Sequence, residues 1–322
     1  MSDTAALLNV KNLRVSLQTA NGRADALRGL SFRMQAGQTL GLIGESGCGK
    51  SLTALAIMGL LPERSITTGS ISFKGSELVS ASDADLRKIR GARIAMIFQE
   101  PMTALNPLHS IAKQIAEPLM LHQNVTGAQA RSRALELLER VQLPGAKERL
   151  GAYPHQLSGG QRQRVMIAMA LACSPDLLIA DEPTTALDVT IQKEVLQLIR
   201  NLVNEEGMGL LLISHNLGLM QDQVEKVMVM YGGNIIESAK TSDLFSHHKH
   251  PYTQGLFASR PRMGLARGTR LATIPGSVPQ LKDLPPGCAF GDRCAKVMAE
   301  CRTAMPALKT VSDNHMVRCQ LF

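Results

Sequence analysis

The stretch TLGLIGESGCGKSLTALAIMGLL, residues 39–61, decides the fold class. The short apolar run at 39–44 is typical of a strand that is covered on both faces. The run at 52–61 predicts a helix, which Pro62 is expected to end. Between the two, Gly44 to Ser51 match the pattern G-x-x-x-x-G-K-[ST] in the strand–loop–helix context that it requires. The stretch therefore predicts a phosphate-binding loop.

The residue types in this loop suit the phosphates of a nucleotide. Glycines let backbone N–H groups turn toward phosphate oxygens, and the helix that follows points its positive end at the same anion. Lys50 can reach the terminal phosphates and Ser51 can bind Mg²⁺. Cys48 lies at a helix start, which can make a thiol reactive; alternatively, this position tolerates many side chains. The candidate binding residues are Gly44, Glu45, Ser46, Gly47, Cys48, Gly49, Lys50 and Ser51.

Two adjacent acids supply a second candidate group. Asp181 ends the apolar run DLLIAD at 176–181, where an acid can hold Mg²⁺ through water. Glu182 follows it and could orient an attacking water as a general base. A solvated turn is the alternative interpretation of this pair.

Strand and helix patterns alternate along the chain and predict an α/β core with a largely parallel sheet. Asn21-Gly22 predicts a turn within 19–26, and Thr126 can cap a helix. A later helix is expected to close at Gly207. Strand patterns occupy 7–17, 27–34, 92–98, 209–214 and 226–233, and helical patterns fill 101–164.

Composition excludes several classes of protein. The 322 residues are 44% hydrophobic and 19% charged, which is ordinary for a globular chain and unlike a disordered or collagenous one. We find no apolar run of the roughly 18 residues that a membrane span needs, and no signal peptide, so we expect a cytosolic chain. The net charge of +8 suits a polyanionic partner, with simple solubility as the alternative interpretation. With no Trp, three Tyr and seven Phe, a stacking surface for single-stranded nucleic acid is not expected.

Four of the six cysteines crowd the C-terminal end with the spacing C-x5-C-x6-C-x17-C: Cys288, Cys294, Cys301 and Cys319. In a reducing cytosol such a cluster indicates metal more often than disulfides. Four thiolates suit zinc or an iron–sulfur cluster, although zinc sites more often contain closer cysteine pairs. Free buried thiols are the third interpretation.

The run Leu157-Ser158-Gly159-Gly160-Gln161 resembles the signature motif of ATP-binding-cassette (ABC) ATPases. Other parts of that family pattern follow in order: Gln99 after the strand pattern, Asp188 in TALD and His215 in LLLISHN. The resemblance covers nearly the whole chain and implies two subunits that clamp ATP head to tail. On that basis one site uses Lys50, Ser51, Gln99, Asp181, Glu182 and His215, with Ser51, Gln99 and Asp181 near Mg²⁺. Leu157, Ser158, Gly159, Gly160, Gln161 and Asp188 would serve the facing nucleotide.

One part departs from this pattern. Many family members stack adenine on an aromatic residue before the phosphate loop, and residues 18–29 contain none. The departure predicts only a modest preference for ATP over GTP.

Longer runs indicate a branch of the family. Residues 153–192 and 97–107 resemble the oligopeptide/dipeptide importers, with dipeptide-permease ATPase subunits as the nearest match. Segments of the tail at 250–256, 274–279 and 285–294 resemble the C-terminal extension of these importers. In this branch the resemblance implies a [4Fe–4S] cluster at the four cysteines, with zinc as the alternative. Nickel, glutathione, murein peptides and antimicrobial peptides are other substrates of the branch.

The resemblance also implies an architecture: an ABC ATPase core with a mixed, mostly parallel sheet, an antiparallel β subdomain and a helical subdomain at about 100–165. We expect the core to span 1–250 and a Cys-rich extension to span 251–322.

The implied activity is ATP hydrolysis that drives peptide uptake. The expected partners are a second, different ATPase subunit, two transmembrane permease subunits and an external peptide-binding protein, without nucleic acid. The expected location is the cytoplasmic face of the inner membrane.

Two other functions compete with import. A mechanical ATPase acting on DNA or ribosomes would usually carry a long coiled-coil insertion or a second cassette, and neither pattern is present in this sequence. An inactive regulatory partner is disfavoured because Lys50, Glu182 and His215 are intact.

Overall fold

The computed structural model describes residues 6–20, 22–185, 187–260 and 272–322. Its strands are β1 (Leu8–Thr19), β2 (Gly22–Met34), β3 (Thr39–Ile43), β4 (Ile66–Phe73), β5 (Ser76–Glu77), β6 (Ile94–Ile97), β7 (Leu177–Asp181), β8 (Gly209–Ser214), β9 (Lys226–Tyr231), β10 (Asn234–Lys240), β11 (Lys309–Ser312) and β12 (His315–Val317). Its helices are α1 (Lys50–Met58), α2 (Asp83–Ile89), α3 (Pro101–Ala104), α4 (Ile111–Gln123), α5 (Gly127–Arg140), α6 (Ala146–Arg149), α7 (Gly159–Leu171), α8 (Val189–Glu206), α9 (Leu217–Met220), α10 (Thr241–His247), α11 (Pro251–Ala258) and α12 (Glu300–Thr303).

The elements pack into two compact units. Among the described residues, the first unit contains 6–7, 34–39 and 80–213, and the second contains 8–33, 40–79 and 214–322. The division into 1–250 and 251–322 expected from the sequence, with a helical subdomain at about 100–165, stays a prediction.

The first unit is built on three parallel strands in the order β8-β7-β6. Every residue of β7 and β8 is buried, which fits their continuously apolar sequences and confirms both predicted strands. Helix α4 packs against α5 and α7. Thr126 caps α5 as predicted, and Gln129 completes a reciprocal capping box with it. Gly207, in the left-handed region at φ 65°, ends α8 as predicted.

The second unit holds two sheets. Strands in the order β2-β1-β4-β5 form one, in which β1 pairs antiparallel with β4 and β4 with β5; this sheet confirms the antiparallel β part of the fold. The other strands follow the order β11-β12-β10-β9-β3. Here β3 and β9 are parallel, whereas β10, β11 and β12 pair antiparallel. The sequence patterns had indicated β3 and β9, and had missed the three antiparallel strands of the C-terminal part.

Two local predictions were wrong. Helix α1 begins at Lys50 and ends at Met58, because Gly59 adopts φ 63° and its N–H bonds to the carbonyl of Ala56 at 3.1 Å. Pro62 therefore does not end it. Strand β2 begins at Gly22, so residues 22–26, expected in a turn, are extended. A hairpin connection needs only about two residues, which leaves the rest free to pair; Asn21 lies outside the described residues.

Among the residues that the structure describes, no helix is both long enough and apolar enough to cross a lipid bilayer.

Candidate active site

The phosphate loop lies between β3 and α1 in the second unit. Its glycines Gly44, Gly47 and Gly49 have φ of 158°, 79° and 107°. At Gly44 a Cβ atom would lie 2.4 Å from the carbonyl oxygen of Met230, so no side chain fits. At Gly47 a Cβ atom would meet no atom within 4 Å, so this part of the loop faces open space. The loop is therefore packed on one side and accessible on the other, as a phosphate site requires.

Lys50 supplies a fixed positive charge to the loop. Its Nζ donates to the carbonyl oxygens of Gly44 at 2.8 Å and Glu45 at 3.2 Å, and the residue is only 5% exposed. The carbonyl groups of the loop thus hold the Lys50 ammonium next to the predicted phosphate site. Ser51, the next residue, is half-buried within α1.

Cys48 is packed against the base of the loop. It is 1% exposed, and its carbonyl accepts from the N–H of Gly233 at 3.1 Å. Burial raises the pKa of the Cys48 thiol, and the charge of Lys50 offsets this only in part. The structure therefore favours an unreactive thiol at this position over a reactive one.

The loop has contacts that the sequence analysis did not predict. The Tyr252 hydroxyl accepts from the N–H of Glu45 at 2.9 Å, and Arg293 pairs with the Glu45 carboxylate at 2.6 Å. Arg293 lies 248 residues from Glu45, so no local spacing could reveal the pair.

In the first unit, Asp181 and Glu182 occupy the carboxyl end of β7. Asp181 is the last residue of the strand and is 4% exposed. Glu182 adopts φ 46°, the left-handed region that residues with side chains rarely enter, and its N–H donates to the carbonyl of Ile213 at 2.9 Å. Strained backbone of this kind persists where its surroundings hold it, and it concentrates at active sites.

Two side chains of the same unit donate hydrogen bonds to the Glu182 carboxylate. Gln99 Nε2 and Thr185 Oγ1 each lie 3.1 Å from Glu182 Oε2 and donate to it. The structure thus brings together Gln99 and Glu182, which the family pattern had named separately. Thr185 was missed, since a threonine within a turn carries no distinctive sequence signal.

The signature segment forms the start of α7 in the first unit. Ser158 is the N-cap, and its Oγ accepts from the N–H of Gln161 at 3.3 Å while Gln161 Oε1 accepts from the N–H of Ser158 at 3.0 Å. Ser158 and Gly159 are exposed, whereas Leu157 is buried. The motif therefore fixes a helix N-terminus whose first residues face solvent, an arrangement suited to an anion.

Asp188 and His215 each lie next to the end of a helix or strand. Asp188 caps α8 and accepts from the N–H groups of Thr190 at 3.1 Å and Ile191 at 3.0 Å. His215 directly follows β8 and is exposed.

The four C-terminal cysteines line one cavity in the second unit, together with apolar residues such as Phe290 and Val297. Burial raises the pKa of the Cys288 thiol to about 11. In the described residues, no three His, Cys, Asp or Glu side chains are arranged to hold a metal ion. The four thiols thus have the chemistry of a metal site, but among the described residues no three of them are arranged as metal ligands.

Comparison with known proteins places these features in a family. The model of the ABC transporter family matches residues 27–185, and that of the C-terminal region of oligopeptide/dipeptide transporters matches residues 236–301. The chain is 47% identical over 317 residues to the dipeptide transport ATP-binding protein DppD of Bacillus subtilis, covering 98% of this chain and 94% of that protein. The chain belongs to the oligopeptide/dipeptide import family of ABC transporter ATP-binding proteins. ATP hydrolysis is the activity of this family, and the chain is the ATPase motor of a peptide importer.

Two further similarities extend this family assignment. The oligopeptide transport ATP-binding protein OppD of Mycobacterium tuberculosis is 45% identical over 314 residues, which cover 97% of this chain and 51% of that protein. Among solved structures, the dimeric ATP-binding cassette MJ0796 in a post-hydrolysis state with ADP and Pi matches with a TM-score of 0.66 and 28% identity, over 73% of this chain and 98% of that one. The ABC ATPase fold expected from the sequence is confirmed.

Proposed function

We propose that the chain lies on the cytoplasmic face of the inner membrane, where it hydrolyses ATP to drive the uptake of di- and oligopeptides. The single observation that carries this proposal is the match at 47% identity, over almost the whole chain, to a protein named for dipeptide transport. The match to the C-terminal region of oligopeptide/dipeptide transporters supports the same cargo.

In the proposed site, Lys50 and Ser51 bind the phosphates and Mg²⁺, and Asp181 holds the ion from the end of β7. The packed glycine loop and the ammonium held at its carbonyls support these roles. When bound, Mg²⁺ would neutralise charge on the phosphate oxygens.

The hydrolytic step is proposed to depend on three residues of this chain. Glu182 orients water and accepts its proton, Gln99 holds the Glu182 carboxylate and contacts the ion, and His215 contacts the terminal phosphate. The strained backbone of Glu182 and its hydrogen bond from Gln99 support the first two roles.

A second ATPase subunit is proposed to complete the nucleotide site. Ser158, Gly159, Gly160 and Gln161 would contact the nucleotide held by that subunit, with Leu157 and Asp188 supporting the two helix starts. The exposed helix N-terminus and the dimeric state of MJ0796 support this arrangement. We propose a different chain as partner, two transmembrane permease subunits, an external peptide-binding protein and no nucleic acid.

The function is tested by purifying the complex from detergent extract and reconstituting it in vesicles with its binding protein. Dipeptides and longer peptides should stimulate ATP hydrolysis and accumulate in the vesicles, while nickel and glutathione should do neither. Stimulation by nickel or glutathione alone would show that this compound, and not a peptide, is the cargo. Co-purification with DNA or ribosomes would favour a mechanical ATPase.

At the four cysteines we propose a [4Fe–4S] cluster, with zinc as the alternative. The proposal is supported by four thiols on one cavity whose remaining lining is largely apolar, since apolar surroundings shield a cluster from solvent. Protein purified anaerobically from cluster-competent cells should be coloured and contain iron and sulfide. A colourless protein without iron would contradict the cluster, and zinc in that protein would favour the alternative.

A further inference from the structure

Glu45 places a carboxylate within the loop that must receive a polyanion. It is the second residue of the phosphate loop, and its side chain is 28% exposed. An unpaired negative charge in the same loop as bound phosphates would oppose nucleotide binding, because like charges repel and a partly exposed carboxylate is only partly screened by water and salt. The loop therefore needs a counter-charge for Glu45.

Arg293 supplies this counter-charge with a two-pronged contact. Its Nη1 lies 2.6 Å from Glu45 Oε2 and its Nη2 lies 3.2 Å from Glu45 Oε1. Paired contacts of this kind fix the geometry of a carboxylate as well as its charge.

The guanidinium of Arg293 is itself held in place. It donates to the Tyr231 hydroxyl at 3.2 Å and to the carbonyl of Pro275 at 2.8 Å, and it lies 5.9 Å from the centre of the Phe290 ring. The Arg293 side chain is 7% exposed. Such a group loses little freedom when it engages Glu45, unlike a surface arginine.

Tyr252 holds the backbone of the same residue. Its hydroxyl accepts from the N–H of Glu45 at 2.9 Å, and Tyr252 is fully buried on α11, with its ring centre 4.7 Å from that of Tyr231. Glu45 is thus held at its amide and at its carboxylate. Its carbonyl and that of Gly44 are the two groups that bind the Lys50 ammonium.

We propose that Arg293 and Tyr252, from the C-terminal part of the chain, are positioning residues of the phosphate loop, which neutralise and fix Glu45 so that the loop binds ATP. The inference rests on the proposed function, because it assumes that ATP occupies this loop. It assigns to the C-terminal extension a direct part in nucleotide affinity.

The test measures the Kd for Mg-ATP of the full chain by equilibrium titration. Arg293→Gln should raise Kd at least about tenfold, since it leaves a charge without its partner. Arg293→Lys should raise it less. The double variant Glu45→Gln/Arg293→Gln should recover most of the lost affinity, because the repelling charge is gone. Tyr252→Phe, which removes only the acceptor for the Glu45 amide, should raise Kd by about threefold.

Two readouts separate neutralisation from a merely structural role. The defect of Arg293→Gln should shrink at high salt, and the double variant should outperform the single one. A structural role predicts neither. Arg302→Gln is the matched control, because Arg302 lies in the same extension in an ion pair whose side chains are 61% and 74% exposed. It should not change Kd.

The experiment distinguishes failure of the inference about Arg293 from failure of the proposed ATP site. If Lys50→Ala leaves ATP binding intact, the proposed site is wrong. If Lys50→Ala abolishes binding while folded Arg293→Gln stays within about twofold of the parent, the inference about Arg293 alone is overturned. A double variant no better than Arg293→Gln would overturn it as well, and Arg293→Lys provides the comparison should Arg293→Gln fail to fold.

Discussion

Gln99 Nε2 donates a hydrogen bond to Glu182 Oε2 across 3.1 Å. The two residues follow neighbouring parallel strands, β6 and β7, whose carboxyl ends meet at one edge of the sheet. Glu182 reaches its position only by entering the left-handed backbone region. The strained backbone thus lies at the residue that we propose as the general base. Removing its carboxylate is the most direct test of that role.

Glu182→Gln should keep ATP binding and slow ATP turnover by about 10²–10⁴-fold, the range typical for loss of a general base. The amide matches the carboxylate in shape, so the fold should persist. Nucleotide titration and phosphate release measure the two effects. Glu205→Gln, at a 62% exposed glutamate of α8, is the control and should hydrolyse ATP normally. Near-parental turnover in Glu182→Gln would refute the base assignment.

Ser158→Ala should reduce stability and activity together. Loss of an N-cap typically costs about 1 kcal/mol, and we expect ATPase activity of the assembled complex to be lost as well, because Ser158 also faces the partner's nucleotide in the proposed site. Thermal unfolding and ATPase assays measure the pair of effects.

Thr126→Ala supplies the control for this prediction. Thr126 caps α5 through the same capping box with a glutamine three residues later. It should cost about as much stability without affecting ATPase activity. Equal activity losses in the two variants would mean that Ser158 acts only as a cap.

Substitution of two loop glycines should have unequal effects. Gly44→Ala should prevent correct folding of the loop, because its Cβ would lie 2.4 Å from a backbone oxygen, a contact that cannot relax cheaply. Gly47→Ala meets no atom within 4 Å and should cost only the strain of a positive φ, about 1–2 kcal/mol. Chemical denaturation compares them. A smaller loss of stability for Gly44→Ala than for Gly47→Ala would contradict the close packing of Gly44 against Met230.

Cys48 should resist thiol reagents in the folded protein. Only the thiolate reacts, and burial raises the pKa of Cys48, so raising the pH to about 9 should accelerate its labelling little. Iodoacetamide labelling followed by peptide mass spectrometry gives the rate at each cysteine. Cys173, which is half-buried, should label faster, and Cys48 should label fully in denaturant. Rapid labelling of native Cys48 would show that the loop opens.

ATP should be preferred to GTP by a modest margin, because residues 18–29 offer no aromatic ring for the base. Competition between the two nucleotides for the purified complex measures the ratio. A preference of about hundredfold, or 2.7 kcal/mol, would require base recognition by other groups.

Local sequence patterns predicted the buried centre of the fold well. Strands β3, β7 and β8 are continuous apolar runs, and such runs have one stable environment, with both faces covered. The caps at Thr126 and Gly207 were also predictable, because capping depends on a residue and its near neighbours.

Long-range pairing was not predictable in the same way. Strand β11 is mostly exposed and β12 has three residues, so neither carries an apolar pattern. Within the candidate site, motif residues were identified from their spacing, but Tyr252 and Arg293, the partners of the Glu45 amide and carboxylate, lie more than 200 residues away and follow no motif. Tertiary packing alone brings them together.

The rings of Tyr231, Tyr252 and Phe290 contact one another beside the phosphate loop, and the two tyrosines give the protein a built-in optical reporter. The chain contains no Trp and three Tyr, so its intrinsic emission comes from tyrosine without energy transfer to an indole. Two of those three, Tyr231 and Tyr252, are buried next to the loop, and Tyr252 is hydrogen-bonded to it. Occupancy of the loop should therefore be visible as a change in the fluorescence of the unlabelled chain.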